Sequence, residues 1–238
     1  MYSHKVIIVH DLCKTYYMAG GLQQSVLKNV SFEISAGEFV AIMGHSGSGK
    51  STLMNILGCL DRPTSGTYFL DGEDISSRTD TELAYIRGQK IGFVFQNFNL
   101  MMKRTLADNV SIPLIYQGVK EKERYEKAKN MLAAVGLEGN ENRLPSQISG
   151  GMQQRVAIAR ALINNPSIIF ADEPTGNLDT QTSDEIMYLF SELNKKGITI
   201  VLVTHEEDVA NYANRMIKIT DGKKEYDGLR TDYLKENR

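Results

Sequence analysis

The chain has 238 residues, of which 42% are hydrophobic, and its formal charge at pH 7 is −2. This length suits one α/β domain or at most two small lobes. The balanced charge offers no basic field for nucleic-acid phosphates or anionic lipid, so we expect no nucleic-acid partner. Two cysteines predict no disulfide framework and suit a reducing compartment.

The apolar segments are too short to predict export or membrane insertion. The opening Met1–Lys5 leads to only four apolar residues before His10, which indicates no signal peptide. The longest apolar runs have the length of strands and fall far short of a bilayer span: Phe39–Met43, Ile168–Ala171 and Ile198–Val203. We therefore expect a cytoplasmic protein.

The N-terminal part of the chain is rich in short β-like runs separated by turn signals. The predicted strands are Lys5–Val9, Val30–Ile34, Phe39–Met43, Thr67–Leu70 and Ile91–Phe95. Asp71 and Gly72 form a turn signal after the fourth run.

The middle of the chain changes to helix-forming composition. Gly118–Val135 is mostly charged, with apolar residues at helical spacing, which predicts a helix with one solvated face. Asn140–Gln147 is polar, contains one proline and predicts a loop. Beyond it, short buried strands alternate with helices, a pattern typical of a parallel sheet covered on both faces.

Three predicted strands end abruptly in polar residues. Phe39–Met43 leads into a glycine-rich loop, Ile168–Ala171 into an acidic pair, and Ile198–Thr204 into His205. In a parallel sheet these are all carboxyl ends, and ligands bind in the crevice outside them. We therefore expect these residues to meet at one site.

The glycine-rich loop fits the pattern G-x-x-x-x-G-K-[ST] between a strand and the helical run Leu53–Leu57. Its glycines let successive N–H groups point at phosphate oxygens, and the following helix adds its positive N-terminal end. Lys50 would supply a charge to the β- and γ-phosphates, and Ser51 a hydroxyl ligand to Mg²⁺.

The other two strand ends carry groups suited to phosphoryl chemistry. Asp172 is predicted to hold Mg²⁺ through water, and Glu173 to orient or deprotonate the attacking water. His205 could contact the γ-phosphate or the lytic water, although a structural histidine is the common case at such a position.

A further motif connects the chain with a family. The segment SGGMQQR, residues 149–155, precedes the acidic pair and resembles the signature motif of ATP-binding-cassette (ABC) proteins, usually Leu-Ser-Gly-Gly-Gln. Ile148 and Met152 replace the usual Leu and Gln. Ser149 and the glycine amides, which can donate to a γ-phosphate, remain, so the Met152 change leaves only the contacts near the ribose in doubt.

The resemblance covers nearly the whole chain and implies further site residues. Gln96 would be a Mg²⁺ ligand and a sensor of the transmembrane partner, and Asn177–Asp179 the D-loop. Tyr16 would stack on adenine, with Tyr17 as its rival. The predicted catalytic residues are then Lys50, Gln96, Glu173 and His205, and the predicted metal ligands are Ser51, Gln96 and Asp172. The predicted nucleotide-binding residues are Tyr16, Gly44, His45, Ser46, Gly47, Ser48, Gly49, Lys50, Ser51, Thr52, Ser149, Gly150, Gly151 and Asp179.

The family also implies an architecture and partners. The fold would be α/β: a phosphate-loop NTPase (RecA-like) core with a mostly parallel sheet, an N-terminal antiparallel β subdomain and an inserted α-helical subdomain. Residues 1–238 would form one nucleotide-binding domain, with core and β subdomain at 1–97 and 163–238 and the helical subdomain at about 98–162. ATP and Mg²⁺ would be the cofactors. A second copy or a paralogue would complete an ATP-sandwich dimer, and an integral-membrane permease would hold the chain at the inner face of the cell membrane.

Within the family, Met54–Gly66 and Gly92–Gln96 are most similar to the macrolide-export and lipoprotein-release group, which favours an exporter. A regulatory or cell-division-type ATPase coupled to a membrane protein without transport is the alternative. DNA-repair and ribosome-acting members are disfavoured, since the chain has no sustained heptads and only one cassette. A small-molecule kinase is disfavoured by the signature motif.

Overall fold

The computed structural model describes residues 4–18 and 20–236. The strands, in chain order, are β1 Lys5–Tyr17, β2 Gln23–Ser35, β3 Phe39–Met43, β4 Ser65–Leu70, β5 Glu73–Asp74, β6 Ile91–Phe95, β7 Ile168–Asp172, β8 Thr199–Val203, β9 Arg215–Thr220 and β10 Lys223–Leu229. The helices are α1 Lys50–Leu57, α2 Asp80–Lys90, α3 Leu106–Tyr116, α4 Glu121–Ala134, α5 Gly150–Leu162, α6 Thr180–Lys195, α7 Glu207–Ala210 and α8 Arg230–Glu236, with a 3₁₀ turn at Pro145–Gln147.

The strands form two sheets. The first is antiparallel, in the order β2-β1-β4-β5, and the second has the order β10-β9-β3-β8-β7-β6. All neighbours in the second sheet are parallel except β9 and β10. The carboxyl ends of β3, β7 and β8 therefore lie at the same edge, as predicted.

The first two strands are longer than the sequence patterns predicted. β1 continues past Val9 to Tyr17, because an irregularity in its pairing with β2 accommodates Asp11 at a positive φ of 47°. The backbone N–H of Asp11 donates to Ser31 Oγ at 2.7 Å. A bulge of this kind breaks the alternation of polar and apolar residues without ending the strand.

The six-stranded sheet is buried on both faces. Val40 and Ile42 of β3 pack in a core cluster with α1 and the antiparallel sheet, whereas Ala41 and Met43 pack in a second cluster with α3 to α6. Side chains alternate between the two faces of a strand, so β3 contributes to both clusters.

Between β6 and β7 the chain forms helices and no strand. This segment contains α3, α4, the 3₁₀ turn and α5, and its helices pack on one another. We keep the division into core and helical subdomains, at about residues 98 and 162, as a proposal supported by this segregation. In the part of the chain that the structure describes, none of the helices has the length and apolarity required to cross a bilayer.

Candidate active site

The phosphate loop connects β3 to α1 and lies at the carboxyl edge of the six-stranded sheet. Gly49, the residue before α1, has a φ of 107° and no capping side chain, and the first turn of α1 contains no acidic residue. The backbone N–H groups at the start of α1 therefore have no side-chain acceptor from this turn, and this suits the binding of an anionic phosphate. Gly44 has a φ of 154°, and a side chain there would overlap the carbonyl of Ile219.

The nine predicted phosphate-binding residues, 44–52, differ in their exposure to a ligand. His45, Ser46, Gly47 and Ser51 are exposed, whereas Ser48 is fully buried and its N–H donates to the His45 carbonyl at 3.2 Å. The Ser48 backbone thus supports the loop from inside. The turn between β9 and β10 supports it from outside, since Gly222 N donates to the Ser48 carbonyl at 2.9 Å.

Lys50 lies across the loop. It is only 7% exposed, and its Nζ donates to the carbonyls of Gly44 at 2.8 Å and His45 at 3.0 Å. Burial lowers the pKa of Lys50, and the carboxylates of Glu173 and Asp172 oppose that shift. A bound phosphate would favour the charged ammonium further, because a nearby opposite charge stabilises the ionised form.

Asp172 is the last residue of β7 and is half-buried. Burial raises the pKa of Asp172, the neighbouring Glu173 raises it further, and Lys50 opposes both. A cation beside this carboxylate would relieve the same cost. Asp172, Ser51 and Gln96 each carry an oxygen of the kind that Mg²⁺ prefers, and Ser51 is exposed; their role as metal ligands stays a prediction.

Glu173 and His205 meet at this edge. His205 Nδ1 lies 2.8 Å from Glu173 Oε1, and because an ionised carboxylate only accepts, the histidine donates. The chain segments that carry the two residues are also joined, since Glu173 N donates to the carbonyl of Val203 at 2.9 Å. The sequence prediction that these side chains come together is therefore met in the fold.

Glu173 is held in an uncommon backbone conformation. Its φ is 44°, in the left-handed region that non-glycine residues rarely adopt, and such residues cost roughly 1–3 kcal/mol each. The Glu173 carbonyl accepts from Gly176 N at 3.1 Å. The chain therefore leaves the extended conformation of β7 at Glu173, and the surrounding contacts must maintain this turn.

The signature segment forms the beginning of α5. Ser149 is exposed and is the residue before the helix, where its Oγ accepts from Met152 N at 3.3 Å. Gly151 is buried, and a side chain there would overlap Thr182 of α6. Met152 is half-buried against the core cluster. The exposed serine hydroxyl and the helix N-terminus can therefore receive a phosphate from outside the chain.

Gln96 and the predicted D-loop lie side by side. Asn177 Nδ2 donates to the Gln96 carbonyl at 3.0 Å and to Asn97 Oδ1 at 2.8 Å. Asp179 precedes α6 and accepts from Thr182 N at 2.9 Å and Thr182 Oγ1 at 2.7 Å. These hydrogen bonds, the one from the backbone first, lower the pKa of Asp179. Both carboxylate oxygens of Asp179 thus already accept a hydrogen bond from Thr182, and any contact with a ligand must use their remaining lone pairs.

Tyr16 lies in a small polar cluster that the sequence did not predict. Its hydroxyl donates to Asp61 Oδ2 at 2.8 Å, and Lys14 Nζ donates to Asp61 Oδ1 at 2.6 Å. The Lys14 ammonium is also 4.8 Å from the centre of the Tyr16 ring. Burial, and then the bond to Asp61, raise the pKa of Tyr16, so the phenol remains a donor.

Two residues of α5 that the sequence analysis did not select contact the neighbourhood of Gln96. Arg160 donates to the carbonyls of Phe98 at 2.8 Å and Asn99 at 2.6 Å. Gln154 is fully buried and contacts Phe95 and Pro174. A polar residue on the buried face of an otherwise apolar helix is the signal that could have found Gln154.

The comparison with known families agrees with this geometry. The family model described as "ABC transporter" matches residues 27–176, which include the phosphate loop, the signature segment and the acidic pair. The chain belongs to the ABC transporter ATP-binding family. It is therefore an ATPase of that family, and the resemblance noted in the sequence is confirmed.

Relatives with about 50% sequence identity extend the match to most of the chain. The uncharacterised ABC transporter ATP-binding protein YknY of Bacillus subtilis is 55% identical over 87% of this chain and 90% of its own length. The macrolide export ATP-binding/permease protein MacB of Syntrophobacter fumaroxidans is 53% identical over 91% of this chain and 31% of its own length. The chain thus spans nearly all of the first relative and about a third of the second.

Solved structures confirm the predicted α/β phosphate-loop fold. The ATP-binding cassette MJ0796, in a dimeric post-hydrolysis state bound to ADP and phosphate, superimposes with a TM-score of 0.84 at 47% identity, over 94% of this chain and 98% of that one. The protein cbiO1 of Clostridium perfringens gives 0.86 at 29% identity, over 98% of this chain and 92% of that one.

Proposed function

We propose that this ATPase drives a separate membrane permease by closing on a second copy of itself, or a paralogue, around two Mg–ATP. The observation that carries the hydrolytic part is the contact of 2.8 Å between Glu173 and His205, beside the buried Lys50. A scaffold that only holds ATP has no need of a base held by a histidine at the phosphate edge.

Each of these residues has a defined part in the reaction. Lys50 balances charge on the β- and γ-phosphates, and the N–H groups at the start of α1 orient them. Glu173 orients the attacking water and accepts its proton, and His205 holds the carboxylate in place. Ser51, Gln96 and Asp172 would hold Mg²⁺, which supplies charge neutralisation to the triphosphate.

The signature segment supports a composite site. Ser149 is exposed at the N-terminus of α5, so it is available to a phosphate carried by another molecule. The two MJ0796 structures are both described as dimeric. ATP that contacts both copies would favour the closed dimer by its higher affinity for that state, and loss of the γ-phosphate would let it open.

A groove beside Gln96 supports the permease part of the proposal. A cavity of about 680 Å³ lies between α2, β6, α3 and α5, and Phe93 and Phe95 contribute to its lining. Tyr85 and Tyr116 also line it and are 70% and 87% exposed. Large exposed aromatic residues around an apolar groove are typical of a protein interface. Through the permease, the chain would lie at the inner face of the membrane.

The direction of transport is proposed from the relatives alone. Several relatives at about half identity are named macrolide export ATP-binding/permease proteins, and this favours export or extrusion over import. The regulatory or cell-division-type alternative would show the same ATPase site, and identification of the membrane protein that co-purifies with the chain would separate the two.

The decisive experiment uses Glu173→Gln. We expect the wild-type chain to release phosphate from Mg–ATP, and the variant to bind ATP but turn it over about 10²–10⁴ times more slowly, because it lacks a positioned base. With ATP trapped, the variant should elute as a dimer, and without ATP as a monomer. Glu138→Gln, an exposed residue in a loop, is the control. Normal turnover by Glu173→Gln would remove Glu173 from the catalytic role, and a monomer at high protein and ATP concentration would refute the sandwich.

A further inference from the structure

Gln154 is a buried polar residue in the middle of the signature helix. It is 0% exposed, and its Nε2 donates to the carbonyl of Pro174 at 2.5 Å and lies 3.5 Å from that of Phe95. Its Oε1 is also buried and accepts no hydrogen bond from the described residues. A buried amide that is only half satisfied costs free energy compared with an apolar side chain of the same size. Packing alone therefore gives no reason for a glutamine here.

The two carbonyls that Gln154 contacts are next to catalytic groups. Pro174 follows Glu173 directly, and Phe95 precedes Gln96. A single side chain on α5 thus contacts the backbone beside the predicted base and beside the predicted metal ligand. One contact reaches the last residue of β6, and the other reaches the turn that follows β7.

The Pro174 contact also acts on the strained turn. Glu173 keeps its positive φ while its N–H donates to Val203 and its carbonyl accepts from Gly176. The first contact comes from the end of β8, and the second lies within the turn itself. The hydrogen bond from Gln154 is a third restraint, and it comes from α5, the helix that directly follows the signature serine. A residue in a rarely populated conformation persists only when its surroundings fix it.

We propose that Gln154 is a positioning residue that couples the signature helix to Glu173 and Gln96. When Ser149 meets nucleotide on the partner copy, α5 shifts as a rigid element and its amide sets the turn that aims the Glu173 carboxylate. Hydrolysis thus becomes efficient only after the dimer has closed. This inference rests on the proposed roles of Glu173 and Ser149.

The test compares Gln154→Met with Gln153→Met. Methionine keeps the length of the side chain but removes the amide, and we expect kcat to fall about 10- to 100-fold, since small misplacements at a reacting centre have effects of this size. The dissociation constant of a fluorescent ATP analogue with Mg²⁺ should change less than about threefold. Gln153 lies next to it on the same helix, and its amide donates to the carbonyl of Pro145 at 3.1 Å and lies 3.5 Å from that of Ile148, so it does not contact the catalytic turn. Gln153→Met should therefore lose less kcat than Gln154→Met.

A double variant separates positioning from stability. If Gln154 acts through Glu173, Gln154→Met should not lower the residual turnover of Glu173→Gln further, and the double variant should still form the ATP-dependent dimer. Gln154→Asn, whose shorter amide cannot reach both carbonyls, should show the same loss of kcat and serves if the methionine variant folds poorly.

Three results would overturn the inference. They are a wild-type kcat in both Gln154 variants, an equal loss of turnover with and without Glu173, and a loss of ATP binding that parallels a fall in melting temperature. Normal turnover by Glu173→Gln alone would instead refute the proposed base, and that result is read from the single variant.

Discussion

Tyr16 and Tyr17 are adjacent in the chain but have different surroundings. Tyr16 is half-buried and oriented by its hydrogen bond to Asp61, whereas Tyr17 is 70% exposed. A ring whose hydroxyl is fixed loses little conformational freedom when a base stacks on it. The structure thus supports Tyr16 as the base-stacking residue, a role that stays a prediction.

Alanine substitution distinguishes the two tyrosines. Stacking of a base on an aromatic ring is worth about 1–3 kcal/mol, so Tyr16→Ala should weaken ATP binding by about 5- to 150-fold. Tyr17→Ala should bind as the wild type does, and Tyr16→Phe, which keeps the ring, should lose less than Tyr16→Ala. Isothermal titration with a non-hydrolysable ATP analogue measures all three. A loss confined to Tyr17→Ala would reverse the assignment.

At the scale of the elements, two glycines mark close contacts between α5 and its neighbours. Gly151 lies against Thr182 of α6, where even a methyl group would overlap the Thr182 Cγ2. Gly92 of β6 lies so close to the Ala161 carbonyl that a Cβ atom there would be only 2.6 Å from the carbonyl oxygen. The glycine in α5 that faces α6, and the glycine in β6 that faces α5, let the helix pack closely between the sheet and α6. Such close packing suits an element that transmits movement as a rigid body.

The fit between α5 and α6 can be tested with a rescue pair. Gly151→Ala should destabilise the fold by about 1–3 kcal/mol through overpacking. Adding Thr182→Ser removes the Cγ2 methyl group while keeping the hydroxyl that donates to Asp179, so the double variant should recover most of the loss. Thermal unfolding of the variants without nucleotide measures this, since catalysis does not enter. If the double variant is no more stable than Gly151→Ala, the overlap with Thr182 is not the cause.

Two helices have capping signals in the sequence from which they could have been predicted. The helices α2 and α3 were not predicted, although Thr79 with Glu82 and Thr105 with Asp108 have the spacing of a capping box, and both boxes are formed. β3 and β6, by contrast, were predicted with their observed bounds, because they are short apolar runs between clear breaks.

At the scale of the whole molecule, the proposed site is incomplete in one chain. Ser149 directly precedes α5, and Lys50 is the first residue of α1. In the proposed dimer, one copy presents its signature to the phosphate loop of another. The affinity of two copies for each other should therefore depend on ATP and on the signature surface, while binding of ATP to one chain should not need the signature.

This dependence can be measured in a chain that retains ATP. Adding Ser149→Arg to Glu173→Gln should abolish the ATP-dependent dimer, because a large side chain blocks the exposed helix N-terminus. The same chain should still bind ATP with an affinity close to that of Glu173→Gln alone. Ser77→Arg, at an exposed serine before α2, is the matched control. Light scattering with and without ATP reports the dimer, and a dimer that survives Ser149→Arg would place the interface elsewhere.

The sequence by itself determined the chemistry of this protein. The phosphate loop, the acidic pair, His205 and the signature segment are local patterns, and strands that end in polar residues indicate their meeting at one edge. Only the tertiary structure decided how the site residues are held. Asp61 accepts a hydrogen bond from Tyr16, Gln154 donates one to the backbone beside Glu173, and Glu173 lies in a left-handed turn. These contacts join residues far apart in the chain through backbone carbonyls and side-chain geometry. Residue identity and spacing can mark a residue such as Gln154 as unusual, but they do not specify its partners, because these contacts form only once the elements have packed.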